Sequence, residues 1–360
     1  MYSSSSSPDK DENDLKVSES TYKLPIIDLK SFKSGEDREK VAKEINDACK
    51  RHGFFYIAGH GIEEELIDRL DSVSRQFFAL DEQEKLKIRM ELGGSAWRGY
   101  FPLGGELTSN RPDWKEGLYF GTELQDTHPL VVSKTPVHGR NLFPDESMVP
   151  TMSQIVLEYI EKVTQLGHVV MEAIALSLGV PSDYFYSLYT QDPLILFRIF
   201  NYRSQVIPDG MDVRWGVGEH TDYGLLTILY QDDIGGLQVK VGGEGWIKAP
   251  PIKNTFVCNI GDMLDRMTGG LYKSTPHRVA LNTSGRHRLS FPLFFDPNFF
   301  TQVQPIDGIS IGQDDSHQRW DKSNVHEFQG TYGDYLINKV SQVFPQLKQN
   351  INNTQQQRSE

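Results

Sequence analysis

Ten histidines are spread over 360 residues, and one of them stands two positions before a carboxylate, in His220-Thr221-Asp222. With 49 acidic residues in the chain, about one such triplet is expected by accident, so its context has to carry the argument. The triplet lies in Trp215-Gly-Val-Gly-Glu-His220-Thr-Asp222-Tyr-Gly and leads into the alternating run Leu225-Leu-Thr-Ile-Leu-Tyr230. In an extended chain residues two apart share a face, so His220 and Asp222 can hold one ion while Thr221 points away. A third ligand is available in His277, which opens another β-type run after Ser274-Thr-Pro. Two imidazoles and one carboxylate on one side of a metal leave the opposite positions open, the arrangement suited to Fe(II) and oxygen chemistry. A hydrolytic zinc centre can use the same donors, and each histidine taken alone reads as a structural residue with a satisfied hydrogen bond.

Eleven residues after His277 comes Arg288-Leu289-Ser290. The two-residue period puts Arg288 and Ser290 on one face, a guanidinium fork and a hydroxyl aimed at one anion such as the far carboxylate of a chelating keto acid. An inter-strand ion pair beside an ordinary strand serine is the alternative. Tyr202, closing the run Leu196-Phe-Arg-Ile-Phe-Asn-Tyr202, can add a phenolic hydrogen bond. Arg98 and Tyr100 in the Gly/aromatic segment Trp97-Arg-Gly-Tyr-Phe101, together with Phe294 on the Arg288 face, are candidates for a substrate pocket, although aromatic side chains commonly serve as core.

These residues need elements to position them. Val41, Ile45 and Ala48 form a helical stripe between Glu39 and Arg51; Leu66, Leu70, Val73 and Phe77 form another from Glu63 to about Leu80. Phe54–Ile57 reads as a short strand. Gly93–Pro150, rich in Gly and Pro, reads as long loops with short strands. Thr151–Leu178 reads as a long helix ended by Gly179 and Pro181. From Leu194 onward short β-type runs alternate with turns: Leu194–Tyr202, Leu225–Tyr230, Leu237–Val241, Thr255–Ile260, His277–Leu281 and Arg288–Phe295. Such spacing predicts a sandwich or barrel, so a helical first half supports an all-β second half.

The segments Gly218-Glu-His-Thr-Asp-Tyr-Gly, Gly235-Gly-Leu-Gln-Val, Asn259-Ile-Gly-Asp262, Tyr272-Lys-Ser-Thr-Pro-His-Arg-Val279 and Arg288-Leu-Ser-Phe-Pro292, with Leu24-Pro-Ile-Ile-Asp-Leu29 and His52-Gly-Phe-Phe-Tyr-Ile-Ala-Gly-His-Gly-Ile62 near the start, resemble the isopenicillin N synthase-like branch of the 2-oxoglutarate- and Fe(II)-dependent dioxygenases, the iron/ascorbate-dependent oxidoreductases. The resemblance spans about residues 23 to 300. It implies a mainly β fold with flanking helices around a double-stranded β-helix (jelly roll) core. It also implies Fe(II) on His220, Asp222 and His277, 2-oxoglutarate on Arg288, Ser290 and Tyr202, O2 as oxidant and ascorbate as a reductant. Phe200 stands where the family has Asn in its Asn-Tyr-Tyr stretch. The implied activity is hydroxylation or desaturation of a small organic molecule coupled to decarboxylation of 2-oxoglutarate. An oxidase working without 2-oxoglutarate, or a non-catalytic binding protein on the same fold, is the alternative. His60 and Asp113-Trp-Lys-Glu116 read as structural.

The organisation expected on this basis is a tail over 1–22, an N-terminal mixed region over 23–150, the β core with its preceding helix over 151–300, a helical segment over 301–348 and a second tail over 349–360. The net charge of −12, from 37 basic and 49 acidic residues, and the absence of a basic block argue against nucleic acid as a partner. Gly216-Val-Gly218 and Gly242-Gly-Glu-Gly245 do not complete a dinucleotide fingerprint. Two widely separated cysteines, Cys49 and Cys258, with no apolar leader and no bilayer-length run, point to a cytoplasmic protein without membrane association. Oligomeric state leaves no mark in the sequence.

Overall fold

The computed structural model describes residue 17 and residues 23–108, 111–204, 215–310, 316, 319 and 321–343. Apart from Val17, which bridges to Trp246, the two expected tails lie outside the described residues. The strands are β1 (Ile26–Asp28), β2 (Phe54–Ala58), β3 (Gly99–Phe101), β4 (Leu107–Thr108), β5 (Arg111–Pro112), β6 (Glu116–Gly121), β7 (Leu194–Tyr202), β8 (Val217–His220), β9 (Leu226–Gln231), β10 (Leu237–Val241), β11 (Gly245–Lys248), β12 (Phe256–Ile260), β13 (His277–Val279) and β14 (Arg288–Asp296). An eight-stranded sheet runs in the order β1-β2-β12-β9-β14-β7-β6-β3, and a four-stranded sheet in the order β11-β10-β13-β8. The mainly β architecture with flanking helices agrees with a jelly-roll core.

The inner strands carry the clearest logic. β14 lies antiparallel between β7 and β9. Its alternate residues Arg288, Ser290, Pro292, Phe294 and Asp296 face a cavity that residues of both sheets line. Leu289, Phe291, Leu293 and Phe295 face the other way and are buried to 1 % exposure or less. Burial of each such side chain stabilises the fold by roughly 1.5–3 kcal/mol. Against that apolar face packs the helix Met152–Ser177, which also contacts the helices Arg38–Arg51 and Glu64–Phe78. Its approach depends on Gly167, where a Cβ would overlap the Phe295 ring.

The helical expectations hold to within a residue or two at each end. Thr151 is not itself helical: its φ of 62° is left-handed, and it stands just before the first turn without a side-chain bond to it. The first half is less helical than its patterning suggests. β1 and β2 form one edge of the large sheet, β3 and β6 the other. β6 is buried at every position despite beginning with Glu116 and ending with Gly121, because Glu116 is satisfied by neighbouring cations and hydroxyls. No alternation of polar and apolar residues marks such a strand. A helix at Tyr332–Val343 falls in the expected helical segment. No helix among the described residues is long and apolar enough to cross a membrane.

Candidate active site

β8 and β13 are antiparallel neighbours, and their register sets His277 directly across from His220. Asp222 lies just beyond the end of β8, in a turn rather than in a continuing strand. Strand alternation therefore does not explain its position. The turn is held by backbone bonds from Asp262 N to Asp222 O (2.8 Å) and from Met263 N to Gly224 O (3.0 Å). A Cβ on Gly224 would overlap the Asp296 carboxylate, so only glycine fits there. Thr221 turns its hydroxyl to Asp262 (3.4 Å).

The donors converge. Asp222 Oδ1 is 3.9 Å from His220 Nε2 and 3.7 Å from His277 Nε2, and one ligand atom from each residue falls within 4.8 Å of the others. His220 Nδ1 lies 2.9 Å from Gly218 O and His277 Nδ1 lies 3.2 Å from Thr275 O, which leaves each Nε2 as the free donor. Asp222 Oδ2 accepts from Thr227 Oγ1 (2.5 Å) and Asn259 Nδ2 (2.7 Å), so Oδ1 alone faces the imidazoles. Burial, then the adjacent His220, pushes His277 down to about 4, keeping it neutral and able to ligate. Burial alone would raise the Asp222 carboxyl, but His277, His220 and the Asn259 and Thr227 bonds hold it below the ordinary carboxylate range. The donor set and its orientation fit a divalent cation.

Further along the same cavity Arg288 stacks over the Tyr202 ring, 4.6 Å from its centroid, its cross-strand partner. One guanidinium nitrogen donates to Gln231 Oε1 (3.2 Å); Nε and Nη1 are buried with no acceptor. A fully buried guanidinium with two orphaned N–H positions fits the carboxylate of a bound acid. Ser290 is 2 % exposed and lines the cavity with Arg288, Tyr202 and Phe294. The cavity volume is about 160 Å³.

Arg98 and Tyr100 are not among its lining residues. They flank Gly99 at the start of β3, on the far edge of the large sheet, where Tyr100 donates to Glu116 Oε2 (2.6 Å) and Arg98 donates to Val137 O (2.7 Å). Burial pushes Arg98 down to about 9. From this segment it is Phe101 that packs edge-on against Phe200, which lines the cavity. His60 bonds to Ile62 N (3.0 Å) and approaches Asn254 O (3.3 Å), a structural role as read. In Asp113-Trp-Lys-Glu116, Glu116 binds Lys85, Asn201 and Arg203, whereas Lys115 reaches the cavity wall.

Several lining residues escaped the sequence reading: Glu106, Lys115 and Arg198 in the β region, and Leu336, Val340 and Val343 on the last helix. For Arg198 a signal existed, a charge in the middle of the apolar strand Leu194–Tyr202. The last helix is anchored by Tyr332 to Asp296 (2.5 Å) and Tyr335 to Asp262 (2.7 Å), contacts between segments far apart in the chain.

Comparison with known proteins shows where this geometry belongs. Residues 24–146 match the family described as the non-haem dioxygenase in morphine synthesis N-terminal region, and residues 194–297 match the 2OG-Fe(II) oxygenase superfamily. A probable iron/ascorbate oxidoreductase of Dictyostelium discoideum is 59% identical over 91% of this chain and 96% of its own length. The chain belongs to the 2OG-Fe(II) oxygenase superfamily. This oxygenase is also 44% identical to a 1-aminocyclopropane-1-carboxylate oxidase of Dictyostelium discoideum, covering 90% of this chain and 95% of that one. Its structure resembles that of a full-length Neurospora crassa protein solved in complex with alpha-KG and thymine, with a TM-score of 0.72 and 28% identity over 90% of this chain and 98% of that chain. It is an oxidoreductase of the Fe(II)- and 2-oxoglutarate-dependent class, with O2 as co-substrate and ascorbate typical for the family.

Proposed function

We propose that His220, Asp222 and His277 hold Fe(II), that Arg288, Ser290 and Tyr202 receive the distal carboxylate of 2-oxoglutarate, and that a small organic molecule occupies the rest of the cavity to be hydroxylated or desaturated. The observation that carries this reading is the pair of buried, unpartnered N–H groups of Arg288 on the wall of the cavity that also holds the triad. Fe(II), when bound, supplies the oxygen chemistry that couples decarboxylation of 2-oxoglutarate to oxidation of a substrate C–H bond. The chain's own contributions are orientation and exclusion of water. Thr227 and Asn259 fix the Asp222 carboxylate, the Gly218 and Thr275 carbonyls fix the imidazole tautomers, and Phe294, Leu229 and the last helix keep the cavity apolar near the reacting position. The names of the relatives, one an oxidase of a cyclic amino acid and the other solved with thymine, support a compact polar substrate.

A second reading, an oxidase working without 2-oxoglutarate whose Arg288–Ser290 pair holds another acid, draws on the similarity to an enzyme named as an oxidase. Succinate separates the two: substrate-dependent release of succinate supports the first, and turnover without succinate supports the second. In the anaerobic Fe(II) protein, addition of 2-oxoglutarate is expected to produce a weak visible charge-transfer band that is absent in His220→Ala. Arg288→Gln is expected to weaken 2-oxoglutarate binding by about tenfold to a hundredfold, the loss of a charge-assisted pair. A band of equal intensity in wild type and His220→Ala would remove His220 from the metal site.

A further inference from the structure

Arg198 is a second buried guanidinium on the wall of the same cavity. It is 8 % exposed and sits in the interior of β7, whose even-numbered residues from Leu196 to Tyr202 all line the cavity. Tyr202, the partner of Arg288, is four residues further on, about 13 Å along a strand. The cavity therefore has two separate positions for an anion, and 2-oxoglutarate on Arg288 uses one of them.

The second position lacks a direct carboxylate partner among the described residues. Arg198 Nη1 makes two long bonds to backbone carbonyls, to Phe120 O (3.4 Å) and Phe197 O (3.3 Å), and the guanidinium stacks over the Tyr119 ring at 3.4 Å. The Tyr119 side chain also accepts a hydrogen bond from it, and Glu106 and Asp296 attract it from beyond ion-pair distance. The nearby acids are engaged elsewhere: Glu106 with Lys115 (2.6 Å) and Tyr119 (2.6 Å), Asp113 with Lys115 (2.5 Å) and Thr108 (2.8 Å), Asp296 with Tyr332 (2.5 Å). Burial lowers the Arg198 pKa, and the opposing pull of Tyr119, Glu106 and Asp296 does not restore it, the mark of a cation whose lost hydration is not fully replaced. A buried charge is costly unless paired, and a buried cation on a cavity wall whose bonds go only to neutral groups is a candidate for ligand recognition. The Phe294 ring, 5.8 Å from the guanidinium, and Leu336 and Val340 of the last helix supply an apolar surround.

We infer that Arg198 is the substrate's anion receptor, and that the primary substrate of this oxygenase is a small carboxylic acid whose carboxylate docks on Arg198 while its apolar body lies against Phe294 and the last helix. This rests on the assignment of Arg288 to 2-oxoglutarate, which leaves Arg198 open for a different acid. Arg198 thereby selects the substrate and orients the C–H bond to be oxidised.

The test uses the full chain loaded with Fe(II), 2-oxoglutarate and ascorbate, and a panel of free L-amino acids, arylacetic acids and short branched-chain acids, each beside its own carboxamide. Succinate formation above the substrate-free rate is the readout. The wild-type protein is expected to respond to one or more acids with kcat/KM about tenfold to a hundredfold above that of the matching carboxamide, the worth of a charge-assisted bond. In Arg198→Gln that preference is expected to vanish or invert through a rise in KM, and Arg198→Lys is expected to restore part of it. Equal response to acids and carboxamides, no response to any acid, or a preference that survives in Arg198→Gln would each overturn the inference. The wild-type comparison needs no variant to fold. The visible band formed by 2-oxoglutarate reports on the underlying assignment separately: a band with no acid preference overturns Arg198 alone, and no band overturns the cofactor reading as well.

Discussion

The two oxygens of Asp222 have different tasks. Oδ1 faces both imidazoles, while Oδ2 is held by Thr227 and Asn259. Removing one of these holders should loosen the ligand without touching it, and outer partners of metal ligands are typically worth about 10–100-fold in affinity. Asn259→Ala is therefore expected to weaken Fe(II) binding by about that factor in anaerobic titration with its circular dichroism unchanged; unaltered affinity would show that Thr227 alone suffices. Glu116 presents a different residue-scale problem, a fully buried carboxylate bonded to Lys85, Tyr100, Asn201 and Arg203. Burial would raise its pKa, but Arg203, Tyr100 and Lys85 hold it below the ordinary value. A carboxyl with a depressed folded pKa contributes stability above its unfolded pKa of about 4.3, and that contribution is lost as pH falls through the folded value. Glu116→Gln is expected to cost about 3–5 kcal/mol at neutral pH, because Lys85 is left buried and uncompensated. Its urea midpoint should also fall less steeply than that of the wild type on acidification below about pH 4; an equally steep fall would place the acid sensitivity elsewhere.

At the scale of elements, the site depends on how β8 ends. The strand stops at His220, and the turn after it presents Asp222 because Gly224 lets the chain pass against Asp296. Gly224→Ala forces a methyl group into that carboxylate and is expected to destabilise the fold by about 1–3 kcal/mol while lowering Fe(II) affinity, since Asp222 is two residues away. Adding Asp296→Gly should recover part of the metal affinity, a coupling that a double-mutant cycle measures; strictly additive losses would mean that the two residues do not clash. Much at this scale was readable beforehand. The alternation in Arg288–Asp296 correctly put Arg288, Ser290 and Phe294 on one face, and the helical stripes of Val41-Ile45-Ala48 and Leu66-Leu70-Val73-Phe77 fell where helices form. The placement of Arg98 and Tyr100 was not readable, because β3 is too short to show a period and its distance from the cavity is set by its pairing with β6.

For the whole molecule, the cavity between two sheets, closed on one side by a helix from beyond residue 330, makes ligand binding and folding a linked equilibrium. A ligand that binds only the folded state at a hundred times its Kd adds about 2.7 kcal/mol. Fe(II) with 2-oxoglutarate is therefore expected to raise the melting temperature by a few degrees, and EDTA to reverse the rise. An unchanged melting temperature at saturating concentration would mean that the cavity does not hold them. The family matches over residues 24–146 and 194–297 agree with motifs that run through both regions.

Local sequence picked out the reactive groups, and the resemblance carried by the surrounding motifs gave the class of protein: Arg288-x-Ser290 is legible because the period of β14 assigns its face, whereas Asp222 was named correctly although a turn, not strand alternation, presents it. Tertiary structure decided which faces meet. The register of β13 on β8 joins His277 to His220 across more than 50 residues. The packing of the last helix brings Leu336 and Val340 to the cavity, and that Arg198 has no direct carboxylate partner among the described residues emerges only when Glu106 and Asp296 are seen bonded to Lys115, Tyr119 and Tyr332. A periodic pattern specifies orientation within an element, whereas the pairing or orphaning of a buried charge depends on groups brought near it from distant parts of the chain.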